Sequence, residues 1–120
     1  MSWQYSQSTG QLTRNGETVG SGYSGRGAGR NNPALEQARH VGPIPRGQYQ
    51  IGPAYAHPDK GPVTMNLSPM GHLAHGRTSF LIHGDSRTNP GDASEGCIIL
   101  PPDIRRRIAS SGDTILEVVE

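Results

Sequence analysis

Glycine and proline interrupt this sequence so often that only short apolar runs are left to form regular structure. The 120 residues include 17 Gly and 10 Pro, and hydrophobic residues make up only 32% of the chain. Gly and Pro together stay just below the level typical of low-complexity or disordered chains. Short apolar runs, such as Phe80–Ile82 and Ile98–Leu100, recur between the breaks. We therefore expect a loop-rich, mainly β domain (α+β with short helices), with residues 1–120 forming one domain.

Turn residues divide the chain into short strands. Asn15-Gly16 is a strong hairpin signal, because a type I′ turn requires positive φ at both central positions. Strands are expected on both sides of this turn and at several later apolar runs. The predicted strands cover residues 3–8, 11–14, 17–23, 48–54, 63–67, 79–83 and 114–119.

Two short helices are also predicted. The first begins at Pro33 and reaches about Arg39, since proline suits the first helical position. The second runs from Pro101 to about Ser110, with Ile104 and Ile108 one turn apart on its buried side. The Arg105–Arg107 triplet is expected on the solvated side of this helix.

Charge and hydropathy exclude several classes of partner. Eleven basic residues against ten acidic ones give a net charge of +1, and backbone binding to nucleic acid needs many clustered cations. No stretch approaches the roughly 20 apolar residues of a membrane span. Met1–Tyr5 lacks the basic and apolar regions of a signal peptide. We expect no nucleic-acid partner, no membrane span, synthesis in the cytoplasm, and export by a route other than general secretion.

The glycine-rich loop Ser24–Asn32 is a weak candidate for phosphate binding. It does not match a fingerprint in which a strand precedes the loop and a long helix follows it. No cofactor is expected from this loop or from any other motif of the chain.

The most informative segment joins a histidine to the single cysteine. The apolar strand ending at His83 runs into a polar loop, and the chain returns through Gly96 to Cys97 at the start of the next apolar run. A cysteine attacks as its thiolate and needs a nearby base, and a histidine at a rigid strand end is a well-positioned one. Gly96 permits close backbone approach, so amides at Gly96 and Cys97 are expected to face a developing oxyanion.

These residues resemble a known family of cell-wall enzymes. His-Gly at 83–84, the polar loop and Ser-x-Gly-Cys-Ile at 94–98 resemble the motif of L,D-transpeptidase (YkuD-type) catalytic domains. Gly42-Pro43-Ile44-Pro45 resembles the proline-rich step that leads into a core strand in those domains. Together with Tyr23-Ser24-Gly25 and Asn31-Asn32-Pro33, these motifs look closest to the type VI-secreted L,D-transpeptidase effectors. The resemblance implies an L,D-transpeptidase-like β-sandwich or barrel.

The resemblance also implies roles for individual residues. Cys97 is the expected nucleophile and His83 its general base. The carbonyl of Gly84 or the side chain of Asp85 is expected to orient the imidazole. Ser94 is expected to shape the loop before the nucleophile.

Three further residues are weaker candidates for binding substrate. Tyr23 and Ser24 fit an N-terminal flap over the active site, although an ordinary strand end explains them nearly as well. His75, like His72, fits a loop beside a substrate groove, and a surface histidine is the plainer interpretation. The chain departs from the larger family at three places: Glu95 replaces a histidine, Ile99 stands where an arginine or asparagine often follows the nucleophile, and the loop from His83 to Cys97 is short.

The reaction implied by the resemblance is acyl transfer on peptidoglycan tetrapeptide stems. Cys97 attacks the carbonyl between meso-diaminopimelate and the terminal D-alanine, which leaves. Water then completes L,D-carboxypeptidase action, and a D-amino acid or second stem completes exchange or cross-linking. The effector branch further implies delivery by the type VI secretion machinery, action in the periplasm of a target bacterium, and a cognate immunity protein.

Two alternatives of other classes remain open. A zinc-dependent peptidoglycan amidase or peptidase would use His72, His75 and His83, although the spacing suits metal ligands poorly and no further ligand completes the set. We therefore expect no metal site. A non-catalytic wall-binding module would keep Cys97 as a structural residue, because a free cysteine is often a small buried hydrophobe.

Overall fold

Short strands dominate the computed structural model, which describes residues 2–120. Within these residues one α-helix, α1, spans Pro102–Ser110, and 3-10 helices span Gly27–Gly29, Pro33–Leu35 and Ala74–Gly76. The strands are β1 (Trp3–Ser6), β2 (Gln11–Arg14), β3 (Glu17–Ser21), β4 (Tyr23–Ser24), β5 (Gly47–Ile51), β6 (Tyr55–His57), β7 (Gly61–Met70), β8 (Phe80–His83), β9 (Ile98–Ile99) and β10 (Ile115–Val119).

The strands form one sheet that is nearly closed into a barrel. Its order is β3-β2-β1-β10-β5-β7-β8-β9-β4, and β6 pairs with β7 beside this path. The two ends, β3 and β4, are consecutive along the chain, and the Gly22 amide between them donates to the Gly10 carbonyl at 2.9 Å. The mainly β, barrel-like fold expected from the sequence is confirmed.

Most neighbouring strands are antiparallel, but β1 and β10 are parallel, and so are β8 and β9. Parallel neighbours cannot be joined by a tight turn and need a long connection. The polar segment 84–97 is that connection, and it carries the chain from the end of β8 back to the start of β9. The topology therefore places a long polar loop beside the strand end that carries His83.

The core fills the inside of the barrel with side chains from alternate strand positions. In β1, Trp3 and Tyr5 are fully buried while Gln4 is exposed, as the two-residue period of a strand requires. Ile82 of β8 and Ile98 of β9 lie in the same apolar cluster. Burial of apolar surface stabilises a fold by about 25 cal/mol per Å². This cluster is therefore the main source of the domain's stability.

Two elements and the exposure of one side chain differ from what the sequence predicts. The helix expected from Pro33 to about Arg39 is only a 3-10 turn over Pro33–Leu35, because the chain bends away to bring Glu36 into the interior. The hairpin of β6 with β7 was not predicted. Arg105 was expected on the solvated side of α1, which is wrong: it is only 6% exposed, whereas its neighbours Arg106 and Arg107 are exposed.

The buried carboxylate of Glu36 ties three segments together. It accepts hydrogen bonds from the side chains of Gln7 at 2.9 Å, His75 at 2.8 Å and Arg46 at 3.0 Å. Burial by itself raises the pKa of Glu36, but these donors outweigh it and hold the pKa at about 2. The carboxylate therefore stays charged in the folded protein at any ordinary pH.

This network predicts that the protein loses stability in acid. The pKa of Glu36 is about 2 when folded against an ordinary 4.5, so its contribution is complete above pH 4.5 and falls away as the pH drops toward 2. A shift of this size corresponds to at most about 3 kcal/mol of unfolding free energy. Urea unfolding between pH 2 and 6 measures it. Glu36→Gln should flatten the pH dependence, whereas the exposed Glu17→Gln should not; equal slopes in both variants would contradict the prediction.

Candidate active site at the ends of strands β8 and β9

His83 and Cys97 lie on the same outer face of the sheet. In the β8–β9 register, Ile82 is opposite Ile98 and His83 is opposite Ile99, so one step earlier Cys97 is opposite Leu81. Side chains of a strand alternate between faces, and Ile82 and Ile98 point into the core. His83 and Cys97 are thus diagonal neighbours on the other face of these two parallel strands.

A cleft of about 980 Å³ opens beside His83. Its lining includes Tyr23 and Ile99 from the sheet, Lys60 from the β6–β7 hairpin and Arg105 from α1. Cys97 is not among the lining residues of this cleft, whereas Glu95 and Ile99 are.

The imidazole of His83 is fixed in the tautomer that a general base needs. Its Nδ1 lies 2.8 Å from the carbonyl oxygen of Gly84, and a carbonyl only accepts hydrogen bonds, so Nδ1 carries the proton. The other nitrogen, Nε2, therefore carries the lone pair. It is buried and has no hydrogen-bond partner among residues 2–120. Burial lowers the pKa of His83 below its ordinary value, and the charges of Lys60 and Arg105 add to this, so the ring is neutral at pH 7.

The thiol of Cys97 is protonated in this environment. Burial raises the pKa of Cys97 above its ordinary value, although the Leu81 amide and the charge of Lys60 act in the opposite direction. Sγ also lies 3.8 Å from the carbonyl oxygen of Ser79, to which the thiol donates. The thiol is thus turned toward the backbone of β8 and of Ser79 just before it, and it makes no hydrogen bond to the imidazole of His83.

Ser94 holds together the backbone that presents the cysteine. Its buried Oγ accepts hydrogen bonds from the amides of Gly25 at 2.9 Å and Gly96 at 3.1 Å, and it donates to the carbonyl of Cys97. The Gly96 amide is therefore already hydrogen-bonded in this structure. Of the two amides expected to face the oxyanion, that of Cys97 remains the candidate donor. Gly96 has φ +136°, and a Cβ there would lie 2.5 Å from Nη2 of Arg77, so a side chain does not fit.

Gly84 and Asp85 have separate roles next to His83. The Gly84 carbonyl is the group that orients the imidazole. The Asp85 carboxylate instead accepts from the hydroxyl of Tyr23 at 2.6 Å and from the amide of Ser86 at 2.8 Å. Burial and this bond to Asp85 raise the pKa of Tyr23 to about 12, so the phenol stays a donor. Asp85 therefore joins β4 to the loop after β8 and does not contact the imidazole.

The weaker substrate-binding candidates are dispersed. Tyr23 lines the cleft. Ser24 is fully buried, where its Oγ accepts from the Ile44 amide at 2.8 Å and donates to the Gly96 carbonyl at 3.2 Å. His75 lies outside the cleft lining and bonds to Glu36.

The three histidines of the zinc alternative do not converge. Nε2 of His72 is 2.9 Å from the Gln48 carbonyl, while His75 pairs with Glu36. Within residues 2–120, no three histidine, cysteine or acidic side chains are grouped so that they could hold a metal ion. His72, His75 and His83 therefore do not form the ligand set that this alternative requires.

Sequence reasoning missed Lys60 and Arg105 as residues of the cleft. Lys60 is in a turn between two strands, one of which was not predicted. Arg105 was grouped with its two exposed neighbours. Its position between Ile104 and Ile108, at the border of the buried side of α1, is the one local signal that indicates burial.

The Tlde1 domain model matches residues 18–115, which include every candidate site residue named above. This family comprises type VI secretion effectors of L,D-transpeptidase-like character, whose activity is directed at peptidoglycan. No curated protein matches the chain. Among the helices of residues 2–120, none is long and apolar enough to cross a membrane.

Ser94→Ala should both destabilise the domain and displace Cys97. The change leaves the amides of Gly25 and Gly96 and the Cys97 carbonyl without their shared partner, which costs about 1–3 kcal/mol for buried polar groups. Urea unfolding measures the loss, and the rate of alkylation by iodoacetamide reports the thiol's position. Ser8→Ala, at an exposed site after β1, is the control. Identical stability and alkylation in the two variants would refute this role for Ser94.

Proposed function

The chain belongs to the Tlde1 domain family, and we propose that it is a cysteine enzyme that removes or exchanges the terminal D-alanine of peptidoglycan tetrapeptide stems. Cys97 is the nucleophile and His83 the general base. The observation that carries this assignment is the free Nε2 of His83, buried on the sheet face that also bears Cys97, with Nδ1 fixed on Gly84.

The first half-reaction forms a thioester. The thiol turns from the Ser79 carbonyl toward Nε2, and its proton passes to Nε2 as Sγ attacks the carbonyl between the L-centre of meso-diaminopimelate and D-alanine. The amide of Cys97 faces the developing oxyanion. The C–N bond then breaks, the proton on Nε2 moves to the leaving amine, and D-alanine departs.

The second half-reaction releases the acyl group. His83 takes a proton from water or from the amine of a D-amino acid, which attacks the thioester and regenerates the thiol. Water gives a tripeptide, and a D-amino acid or a second stem gives an exchanged or cross-linked product. Loss of tetrapeptide donors would weaken a competitor's wall. Type VI delivery into the target periplasm and a protecting immunity protein in the producing cell follow from this assignment.

Product masses test the proposal. The purified chain is incubated with disaccharide-tetrapeptide and D-methionine, beside its Cys97→Ala variant. We expect loss of D-alanine or its replacement by D-methionine, with neither product formed by the variant. No mass change with the unmodified chain would contradict the assignment. Wall binding that survives in Cys97→Ala without any turnover would instead support the binding-module alternative.

The pH profile tests the protonation states. Because burial lowers the pKa of His83 below its ordinary value, the base is neutral at pH 7. We expect kcat/KM to fall only at lower pH, as the ring gains a proton. Alkylation of the free Cys97 should rise only at high pH, since burial raises its pKa. A kcat/KM that follows the thiol's ionisation would show that a preformed thiolate is the reactive species.

A further inference from the structure

Arg105 is a buried cation with no anionic partner. Its side chain is only 6% exposed, and no carboxylate forms an ion pair with it in the described part of the chain. Its donors go to backbone carbonyls: Nε to Leu100 at 3.0 Å, and Nη1 to Pro62 at 2.6 Å and Val63 at 3.4 Å. An uncompensated buried charge is costly, so a fold that retains one has a use for it.

One nitrogen of this guanidinium is left over. Nη2 makes no hydrogen bond within residues 2–120. It is not one of the fully buried side-chain atoms that lack a partner, so it remains accessible from the cleft. A Cβ on Gly84 would lie only 2.8 Å from Nη2, so the absence of a side chain at Gly84 makes room for the guanidinium directly beside His83. Arg105 lines the cleft at this point.

Arg77 shows what a purely structural arginine looks like in the same fold. It is equally buried, but both of its terminal nitrogens are used: Nη1 donates to two carbonyls and Nη2 to two more. It is also absent from the cleft lining. The free Nη2 of Arg105 is therefore a property of its site and does not result from arginine burial in general.

Three of the four carboxylates that line the cleft are already engaged. Asp85 bonds to Tyr23, Asp92 lies 3.4 Å from Arg26, and Glu95 lies 3.0 Å from His40. The fourth, Asp59, forms no ion pair with Arg105 within residues 2–120, and neither do the other three. The cleft thus presents a guanidinium that no carboxylate of the described residues neutralises.

We infer that Arg105 binds a carboxylate group of the peptide stem in the cleft beside His83. The inference rests on the proposed function for the identity of the ligand. An anchored, planar guanidinium suits a carboxylate because it offers a directed N–H donor together with its charge. The stem carries two candidate carboxylates near the scissile bond, on the terminal D-alanine and on the side chain of diaminopimelate.

Calorimetric titration of the Cys97→Ala chain with disaccharide-tetrapeptide distinguishes these two carboxylates. One comparison ligand carries a C-terminal carboxamide, and another is amidated on diaminopimelate. We expect one of the two amides to bind about tenfold or more weakly, as loss of a buried charge-assisted hydrogen bond implies. In Arg105→Lys on the same background that penalty should largely vanish, whereas it should persist in Arg107→Gln, which removes an exposed charge from the same helix. Thermal unfolding checks that each variant is folded.

If Arg105→Lys fails to fold, the inference is still tested in the chain that retains Arg105, by comparing how tightly it binds the free acid and the two amidated ligands. Equal binding of both amides and the free acid would overturn the inference, as would a penalty unchanged in folded Arg105→Lys. If no stem binds, N-acetyl-D-alanine and its amide are added while the Nε–H resonance of Arg105 is followed by NMR. A shift with the acid alone supports a carboxylate site even if the proposed reaction is wrong, and no shift rejects it.

Discussion

The buried guanidinium of Arg77 makes the interaction on which the position of Cys97, the proposed nucleophile, depends. It donates to four backbone carbonyls, those of Glu36, Gly42, Pro43 and Glu95. Three belong to the loop before β5 and the fourth lies two residues before Cys97. Nη2 also occupies the space that a side chain at Gly96 would need. One cation therefore fixes both the proline-rich loop and the turn that presents the cysteine, while Ser94 fixes the other side of that turn.

The mainly β fold was predictable, and His83 and Cys97 could be proposed as a catalytic pair, because the signals for both are local. A histidine at the end of an apolar strand and a cysteine after Ser-x-Gly can be recognised without knowing how the strands pair. The parallel register of β8 and β9 places the side chains of His83 and Cys97 on one face. This strand pairing cannot be inferred from any local sequence pattern. Arg77, Glu36 and Arg105 were missed for the same reason, because their partners come from distant segments and are largely backbone atoms.

The electrostatics of the site favour a neutral starting pair. Burial raises the pKa of Cys97 and lowers that of His83, so neither group is charged before substrate arrives. Such a site depends on proton transfer during attack, and apo contacts of this kind are often long until the substrate binds. The proposed attack requires the thiol to leave the Ser79 carbonyl and to approach Nε2 once the substrate is bound. Lys60 and Arg105 add positive charge on the cleft side, where an anionic peptide stem would lie.

The most direct test of the Cys97–His83 pair is the mass of the intact protein after brief mixing with disaccharide-tetrapeptide and quenching in acid. The account predicts an adduct equal to the stem without its D-alanine, mapped to the peptide containing Cys97. It also predicts that the adduct forms far more slowly in a folded His83→Ala variant. An adduct at another residue, or one that forms equally fast without His83, would contradict the account.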